Sequence, residues 1–377
     1  MIYLDNASTS FPKPPTISEG MQSYLEKPSI SPFHGTSDND TFLLISKTRS
    51  LLAQVLGVKD PESISFTYNA TYACNNLLQG FLNDNDHLII SSFEHNAVLR
   101  PLHYLRDIRN VSWDVWKCDE QGNLLIEDLK NLLKPNTRLI FLSHASNVLG
   151  VITPLKSIGS LAKKYGIAFG VDCTQSAGHI KIDAEDCGID MLVGTGHKGL
   201  LGPTGIGYLY VKDAAKVNPL WHGSGGYNAA AEYQPENSPY KYEAGTPNYL
   251  GIYLLSKSLE WIIENDEIIQ KRVHHLTKTL LQELAQFPNV IIYGTQDLAR
   301  KVPIVSFNVK YFASSQIEEI LRRKYNILVR AGLHCAPGLH RHIGTDPQGT
   351  LRVSPGSFTA IHEIYTLLEA LSAVLNS

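Results

Sequence analysis

The chain has 377 residues, 43% hydrophobic and 18% charged, with a formal net charge of −3. This is the balance of a globular enzyme, long enough for one large domain and a smaller one. No basic run or stripe marks a nucleic-acid surface, and no stretch approaches the ~18 apolar residues that a membrane span requires.

The opening residues, Met1-Ile2-Tyr3-Leu4-Asp5-Asn6, carry neither the basic region nor the apolar core of a secretory signal, so a cytoplasmic location is expected. Phe42 to Leu56 has apolar residues at helical spacing, Ile64-Ser65-Phe66-Thr67 reads as a strand, and Thr71 to Leu82 as a helix. Strands are predicted at His87–Ser91 and Leu139–Leu142, a helix at Leu155–Tyr165, and strands at Ala168–Val171 and Met191–Val193. This alternation predicts an α/β fold with a mostly parallel sheet covered by helices. From Asn248 the pattern changes. Helices at Asn248–Ile263 and Val273–Phe287, strands at Val290–Tyr293 and Ile304–Val309, and helices at Gln316–Lys324 and Ile361–Leu375 predict a smaller α+β unit. Residues 13–255 are therefore assigned to a large α/β domain, and residues 1–12 with 256–377 to the small one.

Five cysteines (Cys74, Cys118, Cys173, Cys187 and Cys335) are scattered and include no Cys-x-x-Cys pair, which argues against a disulfide framework or a structural zinc site. Four fall in apolar or helical patterns. Cys335 instead lies in a loop punctuated by Gly332, Pro337 and Gly338. His334, Cys335, His340 and His342 crowd nine residues, but their spacing matches no standard zinc pattern, and no metal is expected.

Lys198 sits in Gly194-Thr195-Gly196-His197-Lys198-Gly199, followed by Gly202-Pro203-Thr204-Gly205, and Val171-Asp172-Cys173-Thr174-Gln175 lies upstream. Pyridoxal 5'-phosphate (PLP) needs a lysine to hold its aldehyde, a carboxylate to keep its pyridinium nitrogen protonated, and a donor for its phenolic oxygen. Lys198, Asp172 and Gln175 supply one of each. Alone, Asp172 would be a turn residue and Lys198 a solvated lysine. Together, both at strand ends, they meet at the sheet edge where α/β folds bind ligands. Ala70 and Thr71 open a helix after a strand, a ready phosphate cradle, although Thr71 by itself would be read as a plain N-cap. Thr195 and His197 are further phosphate donors, and Asn147, after the strand Leu139–Leu142, is a donor to the ring or substrate.

Nine segments then carry a family resemblance: Tyr3-Leu4-Asp5-Asn6-Ala7, Asn69-Ala70-Thr71, Glu94-His95, Ser146-Asn147-Val148-Leu149-Gly150, Val171-Asp172 to Gln175, Gly196-His197-Lys198, Glu243-Ala244-Gly245-Thr246-Pro247-Asn248, Arg330-Ala331-Gly332-Leu333-His334-Cys335-Ala336, and Leu351-Arg352-Val353-Ser354. In this order they resemble the class V aminotransferase group of fold-type I PLP enzymes, and within it the cysteine desulfurases and their selenocysteine-lyase relatives. The resemblance implies that His95 lies over the cofactor ring and moves protons. It implies that the Cys335 thiolate takes sulfur from the bound substrate as a persulfide, helped by His334 and Arg330. It implies that Arg352 grips the substrate carboxylate through two parallel bonds, with a plain ion-pair role as the alternative. Asn147 and Asn6 are counted with it at the substrate. Thr246 is expected to reach the cofactor phosphate of a second subunit, which implies a homodimer.

Arg-x-Gly-x-His-Cys-Ala looks like the desulfurase group with a short cysteine loop, which implies a sulfur-acceptor protein as partner. The expected activity is conversion of L-cysteine to L-alanine. The alternatives are a selenocysteine lyase acting on L-selenocysteine, another class V lyase or aminotransferase, or a partner protein that binds PLP only structurally. Iron–sulfur cluster assembly is one destination for the sulfur among several. Two segments depart from the family pattern: Thr359-Ala360 stands where relatives often carry Asn-Thr, and Ser31 to Thr36 lacks the usual glycine- and arginine-rich form.

Overall fold

The structure, a computed structural model, describes residues 1–26, 40–228 and 230–375, so the early loop Ser31–Thr36 lies outside the described residues. In chain order the elements are β1 (Ile2–Tyr3), α1 (Pro15–Leu25), α2 (Asp40–Leu56), β2 (Ile64–Thr67), α3 (Ala70–Phe81), β3 (His87–Ser91), α4 (Asn96–Arg109), β4 (Ser112–Trp116), α5 (Ile126–Asn131), β5 (Thr137–Ser143), α6 (Leu155–Tyr165), β6 (Ala168–Asp172), β7 (Met191–Thr195) and β8 (Gly207–Val211). The remainder comprises α7 (Tyr249–Leu284), β9 (Val290–Tyr293), β10 (Val305–Val309), α8 (Ser314–Tyr325), β11 (Ile327–Leu328), β12 (Arg330–Gly332), α9 (Pro337–His342), β13 (Thr350–Val353) and α10 (Ile361–Leu375).

Seven strands form one sheet in the order β2-β8-β7-β6-β5-β3-β4. All neighbours run parallel except β8, which is antiparallel to both β2 and β7. The strands β2, β3, β5, β6 and β7 therefore point the same way, and their C-terminal ends share one edge. Every residue of β3 and β7 is buried, because helices cover both faces of the sheet. The apolar run of each strand is local in sequence, which is why β3, α6 and α10 lie where the spacing predicts them.

A second sheet, antiparallel in the order β12-β13-β10-β9, packs its apolar face on α8, α10 and the end of α7 through Leu280, Phe307, Leu321, Leu351 and Leu371. The strand β1 pairs in parallel with β11, which stitches the N-terminus into this layer and buries Leu4 there.

One expectation is corrected. The two helices predicted over Asn248–Ile263 and Val273–Phe287 are a single 36-residue helix, α7. Glu264, Asp266 and Glu267 interrupt the apolar pattern only because that turn faces solvent, and with no Gly or Pro present nothing breaks the hydrogen-bond ladder. Burial continues at Ile262, Ile269 and Val273 in the first core and at Leu276 and Leu280 in the second. The sequence reading also passes over α4, whose Pro101 lies inside the helix. No helix among the described residues is long and apolar enough to cross a membrane.

Candidate active site

The shared strand edge opens into a cleft of about 240 Å³. It is lined by Ala70, Thr71, His95, Asn147, Asp172, Gln175, Thr195, His197, Lys198, Cys335 and Arg352, together with Ser8 and Arg330, which the sequence reading did not place at the substrate. These residues come from segments hundreds of positions apart, and the sheet brings them together.

At one end α3 begins. Its cap is Asn69, not Thr71: the Asn69 side chain accepts from Tyr72 N–H at 2.9 Å. The N–H groups of Ala70 and Thr71, in the first turn, have no intrahelical acceptor and remain for an anion. Thr195 donates its hydroxyl to Ile206 O at 3.3 Å, and His197 Nδ1 is buried without a partner. Burial, with Lys198 and Lys13 nearby, pushes the His197 imidazole down to about 4, so the ring is neutral.

Asp172 ends β6 with Oδ1 accepting from Thr174 N–H at 2.8 Å. Burial raises its carboxyl above the usual range, and the Lys198 charge opposes this. Gln175 Nε2 gives one hydrogen to Ala7 O at 3.0 Å and keeps the other. His95 caps α4, its Nδ1 accepting from Ala97 N–H at 2.9 Å, which assigns the neutral ring's proton to Nε2. Burial, then Lys198 and Arg330, push this imidazole down to about 4.

Lys198 is half-buried on the loop after β7. Loss of hydration is the largest effect on its amine, followed by Arg352 and Arg330 against the opposing pull of Asp172, and together they bring it down to about 8. The carbonyl of the preceding His197 accepts from Ser10 N–H (3.0 Å), Ser10 Oγ (3.0 Å) and Lys13 Nζ (3.1 Å), so the N-terminal segment holds the lysine's backbone.

Arg352 is buried on β13. It donates to Asp5 Oδ1 and Ser8 Oγ, each at 2.9 Å, and to Asn147 O at 2.9 Å, while its Nε has no partner. Arg330 donates to the same Ser8 hydroxyl at 2.7 Å. Arg330 was visible in the Arg-x-Gly-x-His-Cys run, but its pairing with Ser8 spans 322 residues and leaves no local trace.

Cys335 is exposed at the cleft, in a loop where Gly332, His334 and Cys335 all have left-handed φ, at 108°, 47° and 60°. For the two non-glycine residues this conformation costs about 1 kcal/mol or more each. The help expected from His334 is corrected. Its ring is buried, with Nε2 3.0 Å from Thr350 O, and burial holds it neutral far below its usual range, so no imidazolium stands beside the thiol. Asn147 spends its amide on the same loop, donating from Nδ2 to His334 O at 2.6 Å.

Two assignments fall outside this cleft. Asn6 does not line it: its Nδ2 donates to Ser354 O at 3.0 Å and its Oδ1 accepts from Phe11 N–H at 3.1 Å, so the side chain shapes the N-terminal turn. Ala7 and Ser8, further along the same turn, line the cleft instead. Thr246 is exposed and borders a separate hollow with Tyr68 and Tyr72, away from the cleft of its own chain. Thr359 accepts from Gly356 N–H at 2.9 Å in the turn before α10, so that departure serves local structure. The crowded histidines each engage a different group, His340 Nδ1 with Thr345 Oγ1 and His342 Nε2 with Cys118 O, and no metal-holding cluster occurs among the described residues.

The aminotransferase class-V family model matches residues 2–367. A probable cysteine desulfurase of Borreliella burgdorferi is 32% identical over 100% of this chain and 92% of its own length. A cysteine desulfurase of Pectobacterium carotovorum is 31% identical over 99% of this chain and 93% of its own. Among solved structures, the apo cysteine desulfurase of Thermococcus onnurineus superposes with a TM-score of 0.92 at 29% identity, covering 100% of this chain and 94% of that one. The cysteine desulfurase CsdA of Escherichia coli gives 0.89 at 27% identity, covering 99% and 94%. The architecture is that of fold-type I α/β enzymes. The chain belongs to the aminotransferase class-V family, and the relatives it matches there carry the name cysteine desulfurase.

Proposed function

We propose that this chain is a PLP-dependent cysteine desulfurase that converts L-cysteine to L-alanine and keeps the sulfur on Cys335 as a persulfide. The observation that carries the proposal is one cleft holding a lysine with a depressed pKa, a buried carboxylate, a neutral histidine, a buried arginine and an exposed cysteine.

The cleft fits PLP. The free N–H groups opening α3 and the orphaned His197 Nδ1 suit its phosphate, the Asp172 carboxylate its ring nitrogen, and the second Gln175 hydrogen its phenolic oxygen. When bound, PLP supplies an electron sink that stabilises negative charge at the substrate Cα. Near pH 8 about half of the Lys198 amine is unprotonated, which suits it to hold the aldehyde and, once displaced, to carry the Cα proton. His95, with its Nδ1 held by Ala97, would offer Nε2–H to the bound cofactor or substrate as a proton donor. Arg352 has its Nε hydrogen uncommitted, and binding a carboxylate through two bonds requires it to exchange one bond to Asp5 or Ser8. The Cys335 thiolate attacks the substrate sulfur. The S–S bond forms as the Cβ–S bond breaks, and the carbon keeps the electron pair and takes up a proton to finish as alanine.

The same reading places Thr246 on the phosphate of a second copy, makes the enzyme a cytoplasmic homodimer, and has a sulfur-acceptor protein collect the persulfide, for iron–sulfur cluster assembly or another use. It divides the chain into residues 13–255 and residues 1–12 with 256–377. The two sheets and their separate cores support this division, although α7 runs through the boundary.

The test is alanine and sulfide production from L-cysteine with dithiothreitol, wild type beside Cys335→Ser. Loss of turnover in a variant that still binds PLP is expected. Equal activity in both would remove Cys335 from the chemistry and favour a selenocysteine lyase or another class V lyase.

A further inference from the structure

The loop after β5 runs along the boundary between the two sheets, and four consecutive carbonyls in it each accept a hydrogen bond from the second layer. Asn147 O accepts from Arg352 (2.9 Å), Val148 O from Ser306 Oγ (2.7 Å), Leu149 O from Lys301 Nζ (2.6 Å), and Gly150 O from Val302 N–H (2.8 Å). Within the loop, Ser146 Oγ accepts from the N–H groups of Val148 (3.3 Å) and Leu149 (3.0 Å), and Ser146 O accepts from that of Gly150 at 3.0 Å. At Gly150, where φ is 72°, an added Cβ would lie 2.7 Å from Ile304 O, so the two layers touch at backbone distance.

Lys301 is the costly member of this set. It is only 7% exposed, and no carboxylate pairs with it among the described residues. An apolar side chain of similar length would fill the space without dehydrating an amine. What the lysine adds is the bond to Leu149 O, two residues from Asn147. Asn147 in turn holds the cysteine loop through His334 O, immediately before Cys335.

We propose that Lys301 is a positioning residue for the sulfur-transfer step: it seats the 147–150 loop, so that Asn147 fixes the loop presenting Cys335. The route is Lys301 Nζ to Leu149 O, along the backbone to Asn147, and from its Nδ2 to His334 O. The proposal rests on the reading of Cys335 as the sulfur-accepting thiol.

The experiment uses the holoenzyme with Lys301→Met, Lys301→Arg and Ser306→Ala, beside Cys335→Ser. The readouts are kcat and KM for L-cysteine, and the rate at which iodoacetamide alkylates Cys335, the one exposed cysteine among the five. Lys301→Met is expected to lower kcat about tenfold with KM within about twofold, as for loss of one buried hydrogen bond acting on the reacting geometry. Its alkylation rate should change at least about threefold, since the loop samples other conformations. Lys301→Arg, which restores a donor, should recover most of both. Ser306→Ala removes the neighbouring bond without burying a charge and should move both readouts in the same direction, so the proposal remains testable if the methionine variant fails to fold. Unchanged kcat and alkylation in Lys301→Met, or in Ser306→Ala where the former is unfolded, overturn the proposal. If Cys335→Ser is inactive at the same time, the reading of Cys335 survives that failure. Altered alkylation in Lys301→Met with full turnover in Cys335→Ser would leave the link between Lys301 and the loop intact but refute its part in sulfur transfer.

Discussion

Lys198 should destabilise the cofactor-free protein, and Lys198→Met should therefore make that form more stable. An amine brought from 10.5 to about 8 is disfavoured as a cation in the folded chain by about 3 kcal/mol. The half-buried side chain retains some contact with cleft water, and its removal takes away the charge that favours an ionised Asp172. The net gain from methionine is thus about 2 kcal/mol at pH 7, a rise in melting temperature of about 2–4 °C for a chain of this length. The sign with pH follows from proton binding. Between about 8 and 10.5 the unfolded chain holds more protons at this site than the folded one, so wild-type stability at this site rises with pH across that window. The advantage of the variant is full below about pH 8 and disappears as pH approaches 10.5. Urea unfolding of both cofactor-free proteins at pH 7 and pH 10, followed by fluorescence, measures it directly. A variant less stable than wild type at pH 7, or a difference that does not shrink by pH 10, would refute the reasoning.

Glu94 bridges the ends of β3 and β5, its Oε1 accepting from Ser143 N–H at 2.9 Å, and burial raises its carboxyl to about 8. A raised acid stabilises the fold fully below its unfolded value near 4.5 and loses that contribution as pH climbs to about 8, so Glu94→Gln should gain on wild type in melting temperature between pH 5 and pH 8.5. A gap constant across that range would count against a protonated Glu94. Gly150→Ala combines a left-handed φ with a Cβ 2.7 Å from a carbonyl oxygen and should cost about 2 kcal/mol or more, read by urea midpoint; a change under about 0.5 kcal/mol would mean the loop can move aside. Asn69→Ala removes the α3 cap, which should cost about 1 kcal/mol of stability and weaken PLP binding severalfold by loosening the first turn. Titration of the cofactor-free variant with PLP, followed by fluorescence quenching, gives the binding constant, and an unchanged value would separate the cap from the phosphate site.

Much of the site was legible because its signals are local. The apolar runs that end at Thr67, Ser91, Ser143 and Asp172 mark strand ends, and the glycines around Lys198 and Cys335 mark loops, so the residue types stand at the right edge before any contact is known. Parallel strands then bring those ends together. What the chain could not disclose is how each polar group spends its hydrogen bonds. Asn6 resembles a substrate contact in its motif, yet Ser354, 348 residues away, takes its amide. His334 stands beside Cys335 in sequence, yet its ring turns to Thr350 and stays neutral. Arg352 comes to the cleft already paired with Asp5, 347 residues distant. The polar turn in α7 looked like a helix end because its solvent-facing side cannot be told from a break without knowing what packs on the other. Periodicity and glycine punctuation are properties of a short segment and survive in the sequence by themselves. Partnership, burial and charge state depend on which distant segments the fold places within 3 Å, and only the tertiary structure decides that.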